Sequence, residues 1–156
     1  ITDASNKGLG SVPVQKIRGI EVLIACASRS LNSSEENYST IEKESLAIYW
    51  AINKFRCLLW GLPFVVRFDH KPLKLVFKNK GLDSISSRIR RWIIALQEFD
   101  FSVEYIPGVW NKSADCLSRL VGQSETLDEQ SEEPLILDSV SVEEITAGVI
   151  EEEEWG

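Results

Sequence analysis

Methionine is missing from all 156 residues, and so is any long apolar run. Removal of an initiator methionine would not ordinarily expose a bulky Ile1, so we expect the chain to be a piece of a longer polypeptide. No apolar stretch approaches the roughly 18 residues that a membrane-spanning helix needs. The first residues also lack the basic and then apolar segments of a secretory signal. These absences argue against a membrane protein and favour a soluble intracellular one.

Cysteine and histidine are scarce, with three residues of the first type and one of the second. Cys26, Cys57 and Cys116 form no CxxC pair and have no histidine close to them in the sequence. This spacing indicates neither a disulfide framework nor a zinc site. Each cysteine lies among apolar neighbours, so we expect three buried thiols, with redox or metal chemistry as the less favoured alternative.

Positive charge is absent from the last part of the chain, since residues 121–156 contain 12 Asp or Glu and no Lys or Arg. Residues 1–120 contain 17 Lys or Arg against 12 Asp or Glu, which is a net charge of +5. The acidic segment contributes −12 and brings the total to −7. We interpret 1–120 as a folded domain and 121–156 as an acidic linker or disordered tail. A basic domain suits a polyanionic partner.

Turn signals and hydrophobic periodicity predict a mixed α/β domain in residues 1–120. Ser39 and Glu42 have the spacing of a capping box at the start of a long helix. Residues 84–99 carry apolar side chains at steps of three and four, which is typical of an amphipathic helix. Strands are predicted at 1–3, 10–15, 21–27, 64–68 and 101–106, the second and third forming a hairpin, and helices at 39–60, from 71, at 84–99 and at 111–120.

Glu44 is the most informative single residue. It follows Ile41 by three positions and precedes Ile48 by four, so it lies on the inward face of the long helix with Ile52 and Phe55. A carboxylate in that position is costly unless it is paired, hydrogen-bonded or bound to a cation. A salt bridge at the rim of the core is the alternative to a cation site.

Three aspartates can join Glu44. Asp3 and Asp69 each end an apolar strand, and Asp115 lies in the first turn of the last helix. Taken singly, each is explained by turn chemistry, capping or the helix dipole. If the two strands are parallel neighbours, however, their aspartates emerge at one end of the sheet below Glu44. Such crowding is repulsive unless divalent cations neutralise it, and Mg²⁺ prefers carboxylate oxygens.

Eight short motifs resemble the ribonuclease H domain of gypsy-type LTR-retrotransposon reverse transcriptase polyproteins, in the order found in that family. The resemblance covers residues 1 to about 120 and implies a ribonuclease H-like fold, a five-stranded mixed sheet flanked by helices, here with its first strand truncated. The motifs are Thr2-Asp3-Ala4-Ser5 with Gly8-Leu9-Gly10, Ser28-Arg29-Ser30-Leu31, Glu35 to Thr40, Glu42-Lys43-Glu44-Ser45-Leu46-Ala47, Asp69-His70-Lys71-Pro72-Leu73, Arg91-Trp92, Tyr105-Ile106-Pro107-Gly108 and Ala114-Asp115-Cys116-Leu117-Ser118-Arg119.

The resemblance implies an endonuclease that hydrolyses the RNA strand of RNA·DNA hybrids during reverse transcription. It places the family's catalytic and metal-binding acids on Asp3, Glu44, Asp69 and Asp115, with Asp3 as the bridging ligand. Two Mg²⁺ ions about 3.5–4 Å apart, with Mn²⁺ as a substitute, would clamp one phosphodiester. The implied partners are an upstream polymerase domain and a downstream integrase of the same polyprotein, in cytoplasmic virus-like particles.

Five basic residues are candidates for binding the hybrid. Lys71, Lys74 and Lys78 repeat at three and four positions and form one face of a predicted helix, and Arg88 and Arg91 repeat the pattern on the next helix. Contacts of such residues with phosphates make binding fall as the salt concentration rises. The alternative is that they are the solvated sides of amphipathic helices.

Two other functions compete with the nuclease. One is an inactive or domesticated module that keeps the fold as a nucleic-acid-binding or scaffold element, which the presence of all four acids disfavours. The other is a transposase or integrase core, which fits the motif order poorly. Retroviral and cellular relatives carry a histidine in the loop before the last aspartate, and Val109 lies near that place here. The resemblance implies that gypsy-type members generally lack this histidine as well, so we expect slower product release rather than inactivity.

Overall fold

The computed structural model describes residues 1–78, 85–120 and 135–136. The chain opens with five short strands and continues with three helices, and three further strands and three further helices complete the described elements. In chain order the elements are β1 (Thr2–Ala4), β2 (Gly8–Ser11), β3 (Val14–Ile17), β4 (Ile20–Leu23), β5 (Ala25–Ser30), α1 (Ser33–Glu36), α2 (Thr40–Lys54), α3 (Arg56–Leu59), β6 (Phe64–Phe68), α4 (Lys71–Phe77), α5 (Ser87–Ala95), β7 (Phe101–Tyr105), α6 (Lys112–Leu120) and β8 (Leu135–Ile136).

The strands of the described residues form three hydrogen-bonded sheets. One is a sheet in the order β1-β2-β5-β8 with antiparallel pairs, the second is the antiparallel pair β3-β4, and the third is the parallel pair β6-β7. Strands β1 and β6 lie in contact, which places the first sheet beside the third. Asp3 pairs with Gly10 in the β1-β2 ladder, and Asp69 directly follows β6. The topology therefore brings two of the candidate acids to neighbouring strands.

The predicted hairpin is confirmed, but it is longer than expected and is interrupted. Its tip is a two-residue turn at Arg18 and Gly19, which have φ of 51° and 80°, the geometry that closes tight hairpins. Further from the tip, Val12 and Pro13 lie opposite the three residues 24–26, so the ladder breaks between β2 and β3. Proline lacks a backbone N–H group, which explains why the break lies there.

Helix α2 begins as predicted. The Ser39 hydroxyl accepts a hydrogen bond from the backbone N of Glu42 at 3.4 Å, and Glu42 Oε2 accepts from the backbone N of Ser39 at 3.1 Å. The helix ends at Lys54 rather than at residue 60, so the predicted end was wrong. Phe55 leaves helical geometry with φ −99° and ψ 20° while its side chain stays 2% exposed, and the chain resumes as α3.

The core lies on both sides of α2. The predicted apolar stripe of residues 84–99 contributes to it through Ile89, Leu96 and Phe99, although α5 begins only at Ser87, after the Ser86 cap, and a 3₁₀ turn replaces its last part. Within the described residues, no helix has the length and the apolar character that crossing a bilayer requires. The two main clusters of buried residues are Ile48, Ile52, Val66, Phe68, Leu73, Leu96 and Phe99, and Leu9, Leu31, Leu46 and Ala47.

The expectation of buried thiols was wrong for two of the three cysteines. Cys57 and Cys116 are exposed and Cys26 is half-buried, and all three are free thiols. Cys57 lies in α3 and Cys116 in α6, where sequence neighbours point in different directions around the helix axis. Apolar neighbours along a helical segment therefore do not indicate burial of the residue between them.

The predicted acidic tail, 121–156, lies outside the described residues except for β8. Within it, Leu135 pairs with Cys26 and Ile136 with Ala25, so β8 adds a short antiparallel strand to the edge of β5.

Candidate metal centre

Asp3 lies in the middle of β1 and is 4% exposed. Two side chains near α6 donate hydrogen bonds to its carboxylate. The Ser118 hydroxyl lies 2.7 Å from Oδ2, and Asn111 Nδ2 lies 3.4 Å from Oδ1. Both donors were missed by the sequence analysis. Their hydrogen bonds hold the Asp3 carboxylate in a defined orientation.

Glu44 lies on the inward face of α2 and is 5% exposed, as its spacing predicted. The backbone N–H of Ala4 donates a hydrogen bond to its carboxylate. Its Oε2 atom is buried and has no hydrogen-bond partner among the described residues. An unpartnered carboxylate oxygen in the interior is costly, and a cation is one group that can compensate it. A rim salt bridge of Glu44, the alternative to a cation site, is not among the ion pairs of the described residues.

Asp69 is half-buried and follows the last residue of β6. Asp3, Glu44 and Asp69 each offer one carboxylate oxygen such that the three atoms lie within 4.8 Å of one another. Gly108 lies over this end of β6, because a Cβ at that position would be 3.1 Å from Asp69 Oδ2. The middle of β1, the end of β6 and one face of α2 thus converge on a single acidic cluster, which we call the carboxylate triad.

Burial and mutual repulsion raise the pKa values of two carboxylates of the triad, Glu44 and Asp3. Burial, together with the negative charges of Asp3 and Asp69, raises the pKa of Glu44 from 4.5 to about 9. Burial, together with the charges of Asp69 and Asp115, raises the pKa of Asp3 from 3.8 to about 6, although the Ser118 hydrogen bond acts in the opposite direction. Without a counter-ion, the folded protein therefore resists ionising the triad fully.

Asp115 lies near the triad but not within it. It is half-buried in the first turn of α6, and its Oδ1 accepts a hydrogen bond from Arg119 Nε at 2.6 Å. Its charge contributes to the raised pKa of Asp3, so the two carboxylates interact. The structure therefore brings together three of the four predicted acids and leaves the fourth beside them in an ion pair.

Helix α6 reaches Asp3 because it packs directly on the backbone of β2. A Cβ at Gly10 would lie 2.4 Å from the backbone O of Ala114 and 2.7 Å from the backbone N of Ser118, so only glycine fits there. Ala114 and Ser118 are both fully buried and lie four residues apart on one helix face. Two small residues at that spacing were the available signal of a close helix contact.

Residues 1–99 match the family described as the RNase H-like domain found in reverse transcriptase. The chain belongs to this family. The match confirms the resemblance that the eight motifs indicated.

The relatives of this RNase H-like domain include several retroelement polyproteins. The Retrovirus-related Pol polyprotein from transposon opus of Drosophila melanogaster is 42% identical over 123 residues, which are 78% of this chain and 12% of that protein. The corresponding polyprotein from transposon gypsy is 38% identical over 119 residues, 76% of this chain and 11% of that one. The chain thus spans about a tenth of the length of these two relatives.

A solved structure confirms the predicted fold class. RNase H1 from the halophilic archaeon Halobacterium salinarum NRC-1 superposes with a TM-score of 0.56 and 17% sequence identity, covering 76% of this chain and 89% of the archaeal one. At 17% sequence identity, the similarity to the archaeal enzyme is evidence for the fold alone.

Beside the triad, the RNase H-like domain has a cavity of about 220 Å³. Lys43, which is 8% exposed, and Arg119 supply positive charge to its wall, and Glu44 links it to the triad. The remaining lining consists of Ala4, Ser5, Asn6 and Thr40. The cavity therefore offers cations and hydrogen-bonding groups directly next to the acidic cluster.

The five predicted substrate-binding residues differ in their surroundings. Lys74, Lys78 and Arg91 are exposed, and Lys71 lies over the ring of Tyr105 with Nζ 5.3 Å from its centroid.

Arg88 is already engaged within the protein. Its Nη1 donates to Glu42 Oε1 at 2.8 Å, and its guanidinium lies 3.9 Å from the Tyr38 ring centroid. These contacts link α5 to the start of α2, and they give Arg88 a structural role that the sequence pattern did not predict.

The residues of the triad fit a hard divalent cation. All three donors are carboxylates, their charges repel one another, and Glu44 Oε2 has no partner among the described residues. Mg²⁺ and Mn²⁺ prefer carboxylate oxygens, whereas zinc and copper favour histidine and cysteine. The donor set thus agrees with the expected magnesium chemistry.

Proposed function

We propose that this RNase H-like domain is a metal-dependent endonuclease that hydrolyses the RNA strand of RNA·DNA hybrids. The observation that carries the proposal is the carboxylate triad, with three oxygens within 4.8 Å and one of them buried without a partner in the described residues. Mg²⁺ is the proposed ion, with Mn²⁺ as a substitute. Membership of a reverse-transcriptase family agrees with this substrate.

The acids divide between two proposed ion sites. Asp3 would bridge them, Glu44 and Asp69 would complete the first, and Asp115 would complete the second after releasing Arg119. The bound ions would supply an activated water and stabilise the departing oxygen. Ser118 and Asn111 keep Asp3 oriented, and Glu44 is buried beside it on α2.

The cavity beside Glu44 is the proposed place for the sugar-phosphate backbone of the RNA strand. Lys43 and Arg119 would bind phosphate, and hydroxyl and amide groups such as those of Ser5 and Asn6 would approach the sugar. Proteins distinguish RNA from DNA through the 2′-hydroxyl, which is accessible in the wide minor groove of an A-form helix. Lys71, Lys74, Lys78 and Arg91 would contact phosphates further along the duplex.

An inactive module that binds hybrids without cleaving them is the second candidate. The observation that favours it is the ion pair between Asp115 and Arg119, which occupies one oxygen of the fourth acid. If this pair persists when a hybrid binds, the second ion site stays incomplete. Binding and cleavage therefore have to be measured separately.

The proposed setting is a retroelement polyprotein. Because the similar proteins are Pol polyproteins, we place a polymerase domain upstream and an integrase downstream of this domain in the same polypeptide. Cytoplasmic virus-like particles are the proposed location.

The test is an assay with end-labelled RNA in an RNA·DNA hybrid and Mg²⁺. We expect the chain to shorten the RNA, leaving 5′-phosphate and 3′-hydroxyl ends, and Asp69→Asn to abolish shortening while retaining hybrid binding. Asp100→Asn is the matched control, because Asp100 is exposed and precedes a strand instead of following one. Equal shortening by the chain and by Asp69→Asn would indicate contamination, and binding without any shortening would support the inactive module.

A further inference from the structure

The hydroxyl of Ser118 lies within hydrogen-bond distance of two acceptors, the Asp3 carboxylate and the backbone O of Asp115. Its Oγ lies 2.7 Å from Asp3 Oδ2 and 2.9 Å from the backbone O of Asp115. A serine has a single proton to donate, so these acceptors compete for it. An ionised carboxylate is the stronger acceptor, so the proton points to Asp3 whenever Asp3 is charged.

The two oxygens of Asp3 have separate donors. Asn111 Nδ2 is 3.4 Å from Oδ1 and 3.3 Å from the backbone O of Thr2, so its bond to Asp3 is long and shared. The Ser118 bond is much shorter and is fully buried. Ser118 is therefore the main restraint on rotation of the Asp3 carboxylate.

We propose that Ser118 is a positioning residue for divalent-cation binding, acting through Asp3. Its hydroxyl holds the Asp3 carboxylate so that the remaining lone pairs face Glu44 and Asp69. The inference rests on the proposed function, since it assigns the triad to a cation. Hydrogen bonds to metal ligands typically contribute about 10- to 100-fold in metal affinity.

Close packing alone does not account for this side chain. The backbone of Ser118 already meets the packing demands of α6, since its N faces Gly10 and its O accepts from the Ser5 hydroxyl at 2.7 Å. Any small residue would satisfy those contacts. The hydroxyl adds a bond to a carboxylate that lies 115 positions earlier in the chain.

Ser45 provides a matched control. It is fully buried on α2, and its hydroxyl donates to the backbone O of Ile41 at 2.7 Å. Replacing either serine by alanine removes the same atom from a buried helical site. Only the change at Ser118 also removes a hydrogen bond to Asp3.

The experiment is a Mg²⁺ titration of the full chain, in which Mg²⁺ binding is measured through the rise in the melting temperature. We expect Ser118→Ala to raise the Mg²⁺ midpoint about 10-fold or more, and Ser45→Ala to leave it unchanged. Ser118→Cys, which has a slightly larger side chain and a weak S–H donor, should give an intermediate midpoint. In the hybrid assay, high Mg²⁺ should restore cleavage by Ser118→Ala but not by Asp3→Asn.

The outcomes separate the two proposals. A Ser118→Ala midpoint equal to that of the unmodified chain, or an equal shift in Ser45→Ala, would overturn the role of Ser118. If the titrations behave as expected but no hybrid is cleaved, the positioning role stands and the nuclease proposal fails. If Mg²⁺ has no effect on the unmodified chain, the role of Ser118 is also overturned, because there is no binding for it to support.

Discussion

Asp3 and Glu44 place carboxylate oxygens within 4.8 Å of each other, although one lies on a strand and the other on a helix. Their surroundings differ. Asp3 is held by the Ser118 hydroxyl, whereas Glu44 Oε2 has no partner in the described part of the chain. Of these two carboxylates, Glu44 is the more costly to ionise, so changing it is an informative perturbation.

Glu44→Gln is expected to stabilise the metal-free protein at alkaline pH. The pKa of Glu44 is raised from 4.5 in the unfolded chain to about 9 in the folded one, so the folded state binds this proton more tightly. The free energy of unfolding then falls as the pH rises from 4.5 to about 9. Thermal unfolding in a chelator at pH 8 should show a melting temperature higher by about 4 °C or more in the variant.

The same comparison at pH 3 provides the control, because Glu44 is then almost fully protonated in both the folded and the unfolded state, and the two melting temperatures should converge. Added Mg²⁺ at pH 8 should reverse the order by stabilising only the unmodified chain. A variant that melts lower than the unmodified chain at pH 8 without metal would contradict the account of Glu44.

Glu35→Gln should have the opposite pH dependence. Burial alone would raise the pKa of Glu35, but hydrogen bonds from Arg29 and Asn32 and the charge of Arg29 hold it below its ordinary value of 4.5. The bidentate pair with Arg29, at 2.7 and 2.9 Å, therefore stabilises the fold above pH 4.5, and this contribution is lost as the pH falls through the folded pKa. We expect a loss of about 1 kcal/mol at pH 7.

Chemical denaturation at pH 7 and at pH 3 measures this loss. The difference between Glu35→Gln and the unmodified chain should be present at pH 7 and largely gone at pH 3. A difference of the same size at both values would show that packing, rather than the charge of Glu35, is responsible.

Gly10→Ala should destabilise the domain and disturb the site together. The added methyl would meet the backbone of Ala114 at 2.4 Å and of Ser118 at 2.7 Å, and backbone atoms cannot move aside singly. Forcing extra volume into such a contact costs about 2 kcal/mol. Denaturant unfolding gives the cost, and the Mg²⁺ midpoint should rise because α6 carries the Ser118 donor away from Asp3.

Gly108→Ala is the comparison for Gly10→Ala. A methyl there would lie 3.1 Å from Asp69 Oδ2, a side-chain atom that can move. We expect little loss of unfolding free energy and a weaker Mg²⁺ response. An unchanged free energy of unfolding in Gly10→Ala would show that α6 does not pack on β2 as described.

Lys74→Ala combined with Lys78→Ala should weaken hybrid binding and flatten its salt dependence. Both lysines are exposed near the end of α4, where they can approach phosphates. Removing one lysine–phosphate interaction lowers the slope of log affinity against log salt by about 0.9 in magnitude. Lys16→Gln with Arg18→Gln, on the β3-β4 hairpin, removes the same charge elsewhere and should leave the slope unchanged. An unchanged slope in the lysine pair would exclude α4 from the interface.

Much of the site could be predicted because it depends on local periodicity. The position of Glu44 between Ile41 and Ile48 fixes it on the buried face of α2, and the end of β6 fixes Asp69. Asp3 was expected at the end of its strand and lies instead in the middle of β1. The capping box of Ser39 and Glu42 likewise depends only on spacing within one turn. Features determined by a few neighbouring residues are the ones that a sequence specifies directly.

The rest depends on contacts between distant segments. Ser118 and Asn111 meet Asp3 only because α6 packs against β2, and nothing near either residue in the sequence indicates an acidic partner. The expected burial of Cys57 and Cys116 failed for a related reason, because the face of a helix that packs is chosen by its tertiary partner. Arg88 was assigned to substrate, and its contact with Glu42 required the packing of α5 on α2.

The most direct test of the central claim is anomalous diffraction from crystals of the full chain grown with Mn²⁺. The account predicts an anomalous peak at bonding distance from carboxylate oxygens of Asp3, Glu44 and Asp69, and its loss in Glu44→Gln crystals. Peaks only elsewhere on the molecule, or a Glu44 carboxylate turned away from Asp3 and Asp69, would contradict it.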